Sequence, residues 1–254
     1  MENYIAISKN SKEILNSAHL LQSVEVSALI SGEPGVGKKS LSVYIVPKAP
    51  IFKAKNLQQD ISDNIINLQN CSIIIDKIEN ITNVDLLINW VNENNIRVIA
   101  TTLKDELNTK LAELFSITIE LPPLKDREED VKALTIKFSK EASSTLDLEQ
   151  IIPSRLMINI SNNAHSLRKS IYFSYLFETI GEDEILMFME NYMFSNMHGD
   201  SSYKDFLYLL EVPLLKAATK KYKSQVQMAK HLGLNRITLR KKLDTHKEFL
   251  DDRT

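Results

Sequence analysis

Residues 24–41 read VEVSALISGEPGVGKKSL, and this stretch decides the fold of the first part of the chain. Val24 to Ile30 reads as a buried strand. It runs directly into a glycine-rich turn at Ser31-Gly32-Glu33-Pro34-Gly35-Val36-Gly37, and a helix opens at Lys38. Strand, glycine turn and helix start form the context of a P-loop. Glycines let backbone N–H groups close on phosphate oxygens, and the helix N-terminus favours an anion. Lys38 is placed to reach the β- and γ-phosphates. The hydroxyl that ordinarily follows this lysine is missing: Lys39 stands there and Ser40 comes next. The phosphate-binding candidates are therefore Gly32, Gly35, Val36, Gly37, Lys38, Lys39 and Ser40. The expected ligand is ATP or ADP, with Mg²⁺ if a nucleotide binds. The competing reading is a loop that keeps this shape and binds nothing.

Outward from the loop, Glu13 to Gln22 reads as an amphipathic helix, with Ile14, Leu15, Ala18 and Leu21 in register. Ser72 to Asp76 (SIIID) is a second buried strand, and its terminal acid resembles the magnesium-orienting Asp of a Walker B strand. The next position calls for a glutamate that polarises water, and Lys77 stands there. Glu79 would share a face with Lys77 in an extended chain but be displaced by ~6–7 Å. It could then replace the glutamate only after a local rearrangement. Asn95 to Thr102 reads as a further strand. Asp130 to Glu141 reads as a helix, and residues 148–180 as a small helical lid. Cys71 alone excludes a disulfide framework, and a buried thiol is expected for it.

At the other end, Ser224 to Leu243 reads SQVQMAKHLGLNRITLRKKL. Val226, Met228, Ala229 and Leu232 are the apolar positions of a first short helix. Gly233 tolerates the positive φ of a tight turn. Asn235 is a good N-cap for a second helix. Leu239 and Leu243 share its inner face, with Ile237 expected beside them, leaving a basic front. A short helix with an apolar back and a basic, hydrogen-bonding front is what a major-groove reader requires. Asn235, Arg236, Thr238 and Arg240 are the candidates for base or groove contact, and Lys241 and Lys242 for phosphates.

Charge agrees with this division. The formal net charge of the 254 residues is −2. Yet residues 213–254 hold eleven Lys/Arg against four Asp/Glu, a surplus of +7, which leaves −9 for the rest. A basic tail on an acidic body points to a nucleic-acid module joined to something that does not bind DNA. The apolar fraction, 43%, suffices for a buried core. The five histidines show no ligand spacing, so no metal site is expected beyond the magnesium of a bound nucleotide. No run approaches the ~18 apolar residues of a membrane span, and no signal-peptide pattern opens the chain. A cytoplasmic protein without membrane partners is expected.

Taken together, these strings resemble the sigma-54-dependent enhancer-binding activators. GEPGVGKKSL is similar to their GESGTGKE loop, which also lacks the hydroxyl, and ELPPLKDREED is similar to their LPPLRERRED. LGLNRITLRKKL resembles the helix-turn-helix of the Fis family. The resemblance implies an α/β AAA+ P-loop domain with a parallel sheet and helical lid, followed by an all-α Fis-like domain. Thr102 falls at the sensor-I position. His165-Ser166-Leu167-Arg168 takes the place of GNVR, which makes Arg168 the sensor-II candidate that would face the γ-phosphate. Three family features are missing. Only about thirty residues separate the loop from the second strand, with no GAFTGA string. The Walker B glutamate is Lys77. The arginine fingers are gone, Leu111 holding one aligned place and the other falling in a gap before Ser116.

Asn196 to Ser202 (NMHGDSS) is the most polar, breaker-like linker. The expected domains are 1–142 for the α/β part, 143–196 for the lid and 203–254 for the DNA-binding part. Ile185 to Phe194 are expected to pack under the lid. The stripe Phe206, Leu207, Leu209, Leu210, Leu214 and Leu215, with Pro213 kinking or restarting its helix, is expected to form a homodimer. The leading expectation is a DNA-binding transcriptional regulator with a degenerate AAA+ domain, deficient in ATPase and no sigma-54 remodeller. It would have no catalytic residues, and RNA polymerase would be its protein partner if it has one. Two alternatives stay open: an active AAA+ ATPase, and an architectural protein that bends DNA.

Overall fold

The computed structural model describes residues 4–103, 107–148 and 153–250. The chain divides into two compact units, Met1–Thr179 and Ile180–Thr254. In the first unit the order is α1 (Lys9–Ser23), β1 (Ala28–Ser31), α2 (Lys38–Ile45), β2 (Ile51–Lys53), α3 (Ala54–Ser62) and β3 (Ser72–Asp76). Then follow α4 (Val84–Glu93), β4 (Arg97–Thr101), α5 (Thr109–Ala112), β5 (Ile117–Glu120), α6 (Glu128–Thr145) and α7 (Asn163–Phe177). The strands form one sheet in the order β2-β3-β4-β1-β5. Each neighbouring pair runs parallel.

Helices cover both faces of this sheet, so the strands read as continuous apolar runs instead of alternating ones. Ile73 and Ile75 enter the core beneath α3 and α4, with Leu29, Val98 and Ala100. Ile74 points the other way, with Ala28, Ile30 and Ile99, into the core shared with α1 and α2. β3 begins and ends where its sequence predicts. β1 does not: it starts at Ala28, because β4 and β5 first offer backbone partners there, and Val24 stays exposed. Nor does α1 start at Glu13. It begins at Lys9, where the Ser8 hydroxyl caps it by accepting from the Ser11 N–H.

α6, expected within the α/β part, packs against α7 of the expected lid through Phe138, Ala142, Leu167, Ile171 and Tyr175, with Leu124 beneath them. Glu128, Glu129 and Asp130 occupy the first turn of α6, where acids complement the helix dipole. Cys71 is half-buried and packs against the edge of the first core instead of inside it.

The second unit holds α8 (Glu182–Asn196), α9 (Ser202–Phe206), α10 (Tyr208–Lys221), α11 (Gln225–His231), α12 (Arg236–Thr245) and α13 (Lys247–Leu250). By this division α8 groups with the C-terminal helices, not with the lid as the sequence predicts. It buries none of its residues. Leu215, Ala218, Met228, Ala229 and Leu239 form the core of the unit. Pro213 lies inside α10, and the chain restarts earlier, at Leu207. Among the described residues no helix is long and apolar enough to cross a membrane.

Candidate functional site

The glycine loop leaves the carboxyl end of β1, the edge at which open α/β sheets hold ligands. Gly32, Gly35 and Gly37 all have positive φ, at 136°, 77° and 106°. At two of them space forbids a side chain as well. A Cβ on Gly32 would meet the Leu121 carbonyl oxygen at 2.6 Å, and one on Gly35 would meet the Asn162 oxygen at 2.9 Å. Gly37 caps α2 in the left-handed region. The Lys38 ammonium donates to the carbonyls of Gly32 and Glu33, so the loop's own backbone holds it. Burial pushes this ammonium below the ordinary lysine value, and Glu79, then Asp76, oppose that shift.

A cleft of about 740 Å³ opens in front of the loop, within the range of small-molecule sites. Gly35, Val36, Gly37, Lys38, Lys39 and Ser40 line it, together with Asp76 and Lys77. Tyr4, Ile5, Val43, Leu134 and Phe138 also line it. Arg168 also borders the cleft. Its guanidinium is engaged by Glu141 and lies over the Tyr172 ring, 5.5 Å from the centroid.

Asp76 ends β3, where its Oδ1 accepts a 2.7 Å bond from the Thr101 hydroxyl. Thr101 lies one residue before the expected sensor, and its Oγ1 also accepts the Lys77 N–H at 3.0 Å. Thr102, also buried, donates its backbone N–H to the Ile30 carbonyl. Lys77 departs from an extended chain. At φ 58° and ψ 60° it is left-handed, and a 3₁₀ turn follows at Ile78–Asn80. The backbone leading to Glu79 is therefore turned and not extended. Glu79 Oε1 accepts from the Leu103 N–H at 3.2 Å, and Oε2 is buried with no hydrogen-bond partner among the described residues. Leu111, at one arginine-finger place, is buried in the sheet core.

The residues that fix the loop to the lid were not visible in the sequence. Asn163, buried and at positive φ, donates to Glu33 Oε2 (2.9 Å) and the Pro34 carbonyl (3.0 Å). Its Oδ1 accepts from the Leu124 N–H at 2.7 Å. The Ala164 N–H donates to the Gly35 carbonyl at 3.1 Å. Arg127, 2% exposed, donates to the Val36 carbonyl at 2.8 Å and to the Tyr4 hydroxyl at 3.3 Å. Asp130 Oδ2 lies 3.7 Å from Arg127 Nη1. Its Oδ1 accepts from the Ile7 and Ser8 N–H groups at 2.6 and 2.9 Å, and its Oδ2 from the Ser8 and Ser11 hydroxyls. Burial raises the Tyr4 phenol above its ordinary value, against the pull of Arg127.

In the second unit, Gly233 turns the chain at φ 65° between α11 and α12. Ser224 caps α11 by accepting from Gln227 N–H at 3.3 Å. Asn235 caps α12, its Oδ1 accepting from Thr238 N–H at 2.7 Å. That oxygen keeps one lone pair, and the amide nitrogen of Asn235 stays available to another partner. Arg236, Arg240 and Lys241 are exposed and Thr238 is half-exposed. Lys242 turns inward and pairs with Glu211 on α10, which also binds His246 Nε2 at 2.8 Å. Ile237, expected on the apolar back, is 71% exposed. It stands two residues from the buried Leu239, about 160° round a helix that turns about 100° per residue.

No protein-family model matches the chain. A curated relative, limonene hydroxylase of Geobacillus stearothermophilus, is 32% identical over 168 residues. That match covers 59% of this chain and 31% of the relative, so the chain spans about a third of the relative's length. Among solved structures, NtrX from Brucella abortus in complex with ADP matches with a TM-score of 0.58 at 13% identity, covering 96% of this chain and 68% of that one. The same protein in complex with ATP matches with a TM-score of 0.57 at 13% identity, covering 96% and 69%. Domain III of the replication initiation protein DnaA from Thermotoga maritima matches at 0.50 and 14%, covering 74% and 94%. At such identities the likeness shows the fold alone. The parallel five-stranded sheet with its flanking helices matches the α/β fold of these structures.

Proposed function

We propose that this chain is a DNA-binding transcriptional regulator whose AAA+ domain binds a nucleotide but hydrolyses it poorly. The observation that carries the reading is the second unit's helix pair. α11, the Gly233 turn and the capped α12 leave Arg236, Arg240 and Lys241 outward, on the part of the chain with the +7 surplus. A recognition helix needs this distribution, because base edges are read by side chains that point away from the domain core. Arg236, Thr238 and Arg240 reach into the groove, with Asn235 at its rim, and Lys241 meets a phosphate. Lys242 serves first as the tie to Glu211. The chain acts as a homodimer in the cytoplasm, with RNA polymerase as its protein partner. Arg240→Ala should weaken binding to a selected duplex at least tenfold, the loss of about 1.4 kcal/mol expected at the lower end for one base contact. Unchanged affinity in a mobility-shift assay would remove this assignment.

For the nucleotide, Gly35 to Ser40 hold the phosphates, Asp76 faces the magnesium ion and the apolar side chains that line the cleft take the base. The ADP and ATP in the Brucella abortus structures support the same ligand class here. The glycine positions that admit no Cβ support it independently. Slow hydrolysis rests on Lys77 in place of the glutamate and on Leu111 in place of a finger.

One observation favours the active-ATPase alternative: beyond the left-handed turn at Lys77, the Glu79 carboxylate acts on the Lys38 ammonium and opposes the lowering of its pKa by burial. Its free oxygen is sealed from solvent, and a general base must touch the water it activates. Phosphate release at a rate within the ordinary enzyme range of about 1–10³ per second, lost in Glu79→Gln, would replace the deficient reading with this one. The architectural alternative predicts equal affinity for random and selected duplexes at fixed salt.

A further inference from the structure

We infer that Ile237 reads the 5-methyl group of thymine, making this regulator selective for a T at one position of each half-site. The inference rests on the DNA-binding reading above and adds the base it prefers. α12 is ten residues long and strongly polar. On its outward side a single large apolar side chain, Ile237, stands 71% exposed. Arg240 and Lys241, three and four residues on, flank it on the same face, and Arg236 precedes it. An isoleucine flanked by cations has no hydrogen bond to offer, so it contributes nothing to a phosphate or to a guanine edge. The exposed cations and the DNA-binding reading together make the occupant of this face a polyanion. In the major groove of that polyanion the apolar group on a base edge is the thymine methyl. Position agrees as well. Ile237 lies in the first turn of α12, the end of a recognition helix that meets base edges. Asp244, which shares roughly this side, lies two turns further along, about 10 Å away.

The test uses the full chain and a pool of duplexes with a randomised core of about 20 base pairs, long enough for two half-sites one turn apart. Each thymine of the selected duplex is then replaced singly by deoxyuracil, which removes the methyl and leaves the hydrogen-bonding edge unchanged. Wild-type protein should bind about fourfold more weakly at one position per half-site, the equivalent of burying one methyl-sized group. For Ile237→Ala, the ratio between thymine and uracil duplexes at that position should fall to about one. Equal affinity of wild type for every uracil duplex overturns the inference while leaving DNA binding intact. So does a thymine preference that survives in Ile237→Ala. Recovery of no duplex from the pool at low salt overturns the DNA-binding reading itself.

Discussion

At the scale of single residues, the first unit depends on charges that are buried and spoken for. Arg127 and Asp130 are both about 2% exposed or less and join Tyr4, Ser8 and Ser11 to the phosphate loop. Removing one partner of a buried pair strands the other, at a usual cost of about 3–5 kcal/mol. Asp130 keeps four other donors, so Arg127→Met should cost about 3 kcal/mol, the lower end. Urea unfolding followed by the fluorescence of Trp90, the chain's single tryptophan, would show the loss as an earlier midpoint at unchanged slope. A shift of only a few tenths of a kcal/mol would mean that the network does not hold the loop. Lys38→Ala, by contrast, should leave stability nearly unchanged and abolish the heat of ATP or ADP binding. The two residues also differ in how legible they were. The loop around Lys38 could be read because its glycine turn and helix start are written in consecutive residues. Arg127, Asp130 and Asn163 could not, because their partners lie about ninety to one hundred and thirty positions away, and sequence spacing does not pair residues over such distances.

At the scale of elements, strands and caps were legible where the cause was local. β3 needed only an apolar run with a terminal acid, and α11 and α12 needed only Ser224 and Asn235. The left-handed turn at Lys77 was not, since a lysine rarely adopts positive φ and the Lys77 N–H is held there by Thr101 on the neighbouring strand. The placement of Ile237 was readable from helical angle alone. Lys242 was not, because its partner Glu211 sits on another helix. This pairing changes what the two lysines do. Lys241→Gln should flatten the dependence of log affinity on log salt by about one unit, and Lys242→Gln by clearly less, its ammonium being committed to Glu211. Equal flattening would return Lys242 to the phosphate set. The same tie has a pH signature. The bond from Lys242, and then that from His246, holds the Glu211 carboxyl below the ordinary carboxylate range. A depressed folded value stabilises α12 above the unfolded value of about 4.3 and loses that support as pH falls through the folded value. Amide protection in α12 should therefore drop with acidification below about pH 4.3, and Glu211→Gln should be less protected at neutral pH and lose this dependence.

At the scale of the whole molecule, the division of charge and the helix pair lead to one geometric expectation. On the proposed DNA-binding reading, a single unit with one short recognition helix would touch few phosphates, so useful affinity would require two copies on one duplex. α10 offers the means: Leu210 and Leu214, 60% and 48% exposed, lie four residues apart on one face, while Leu215 and Ala218 hold the unit's own core. Leu214→Glu should shift the protein from dimer to monomer in sedimentation and cost on the order of 10²-fold in affinity for a palindromic duplex. Its affinity for one isolated half-site should hold, because α12 packs through Leu239 and not through Leu214. Half-site spacing supplies the complementary measurement on unmodified protein. Two readers related by a twofold axis demand centres about one helical turn apart, 10–10.5 base pairs. Five inserted base pairs turn the second half-site to the opposite side of the duplex, and affinity should fall to that of one half-site. Ten restore the side but double the separation, and a rigid dimer should lose the second contact there too. If ten inserted base pairs recovered full affinity, the two readers would be joined flexibly, and the Leu210–Leu214 face could not be what sets their distance.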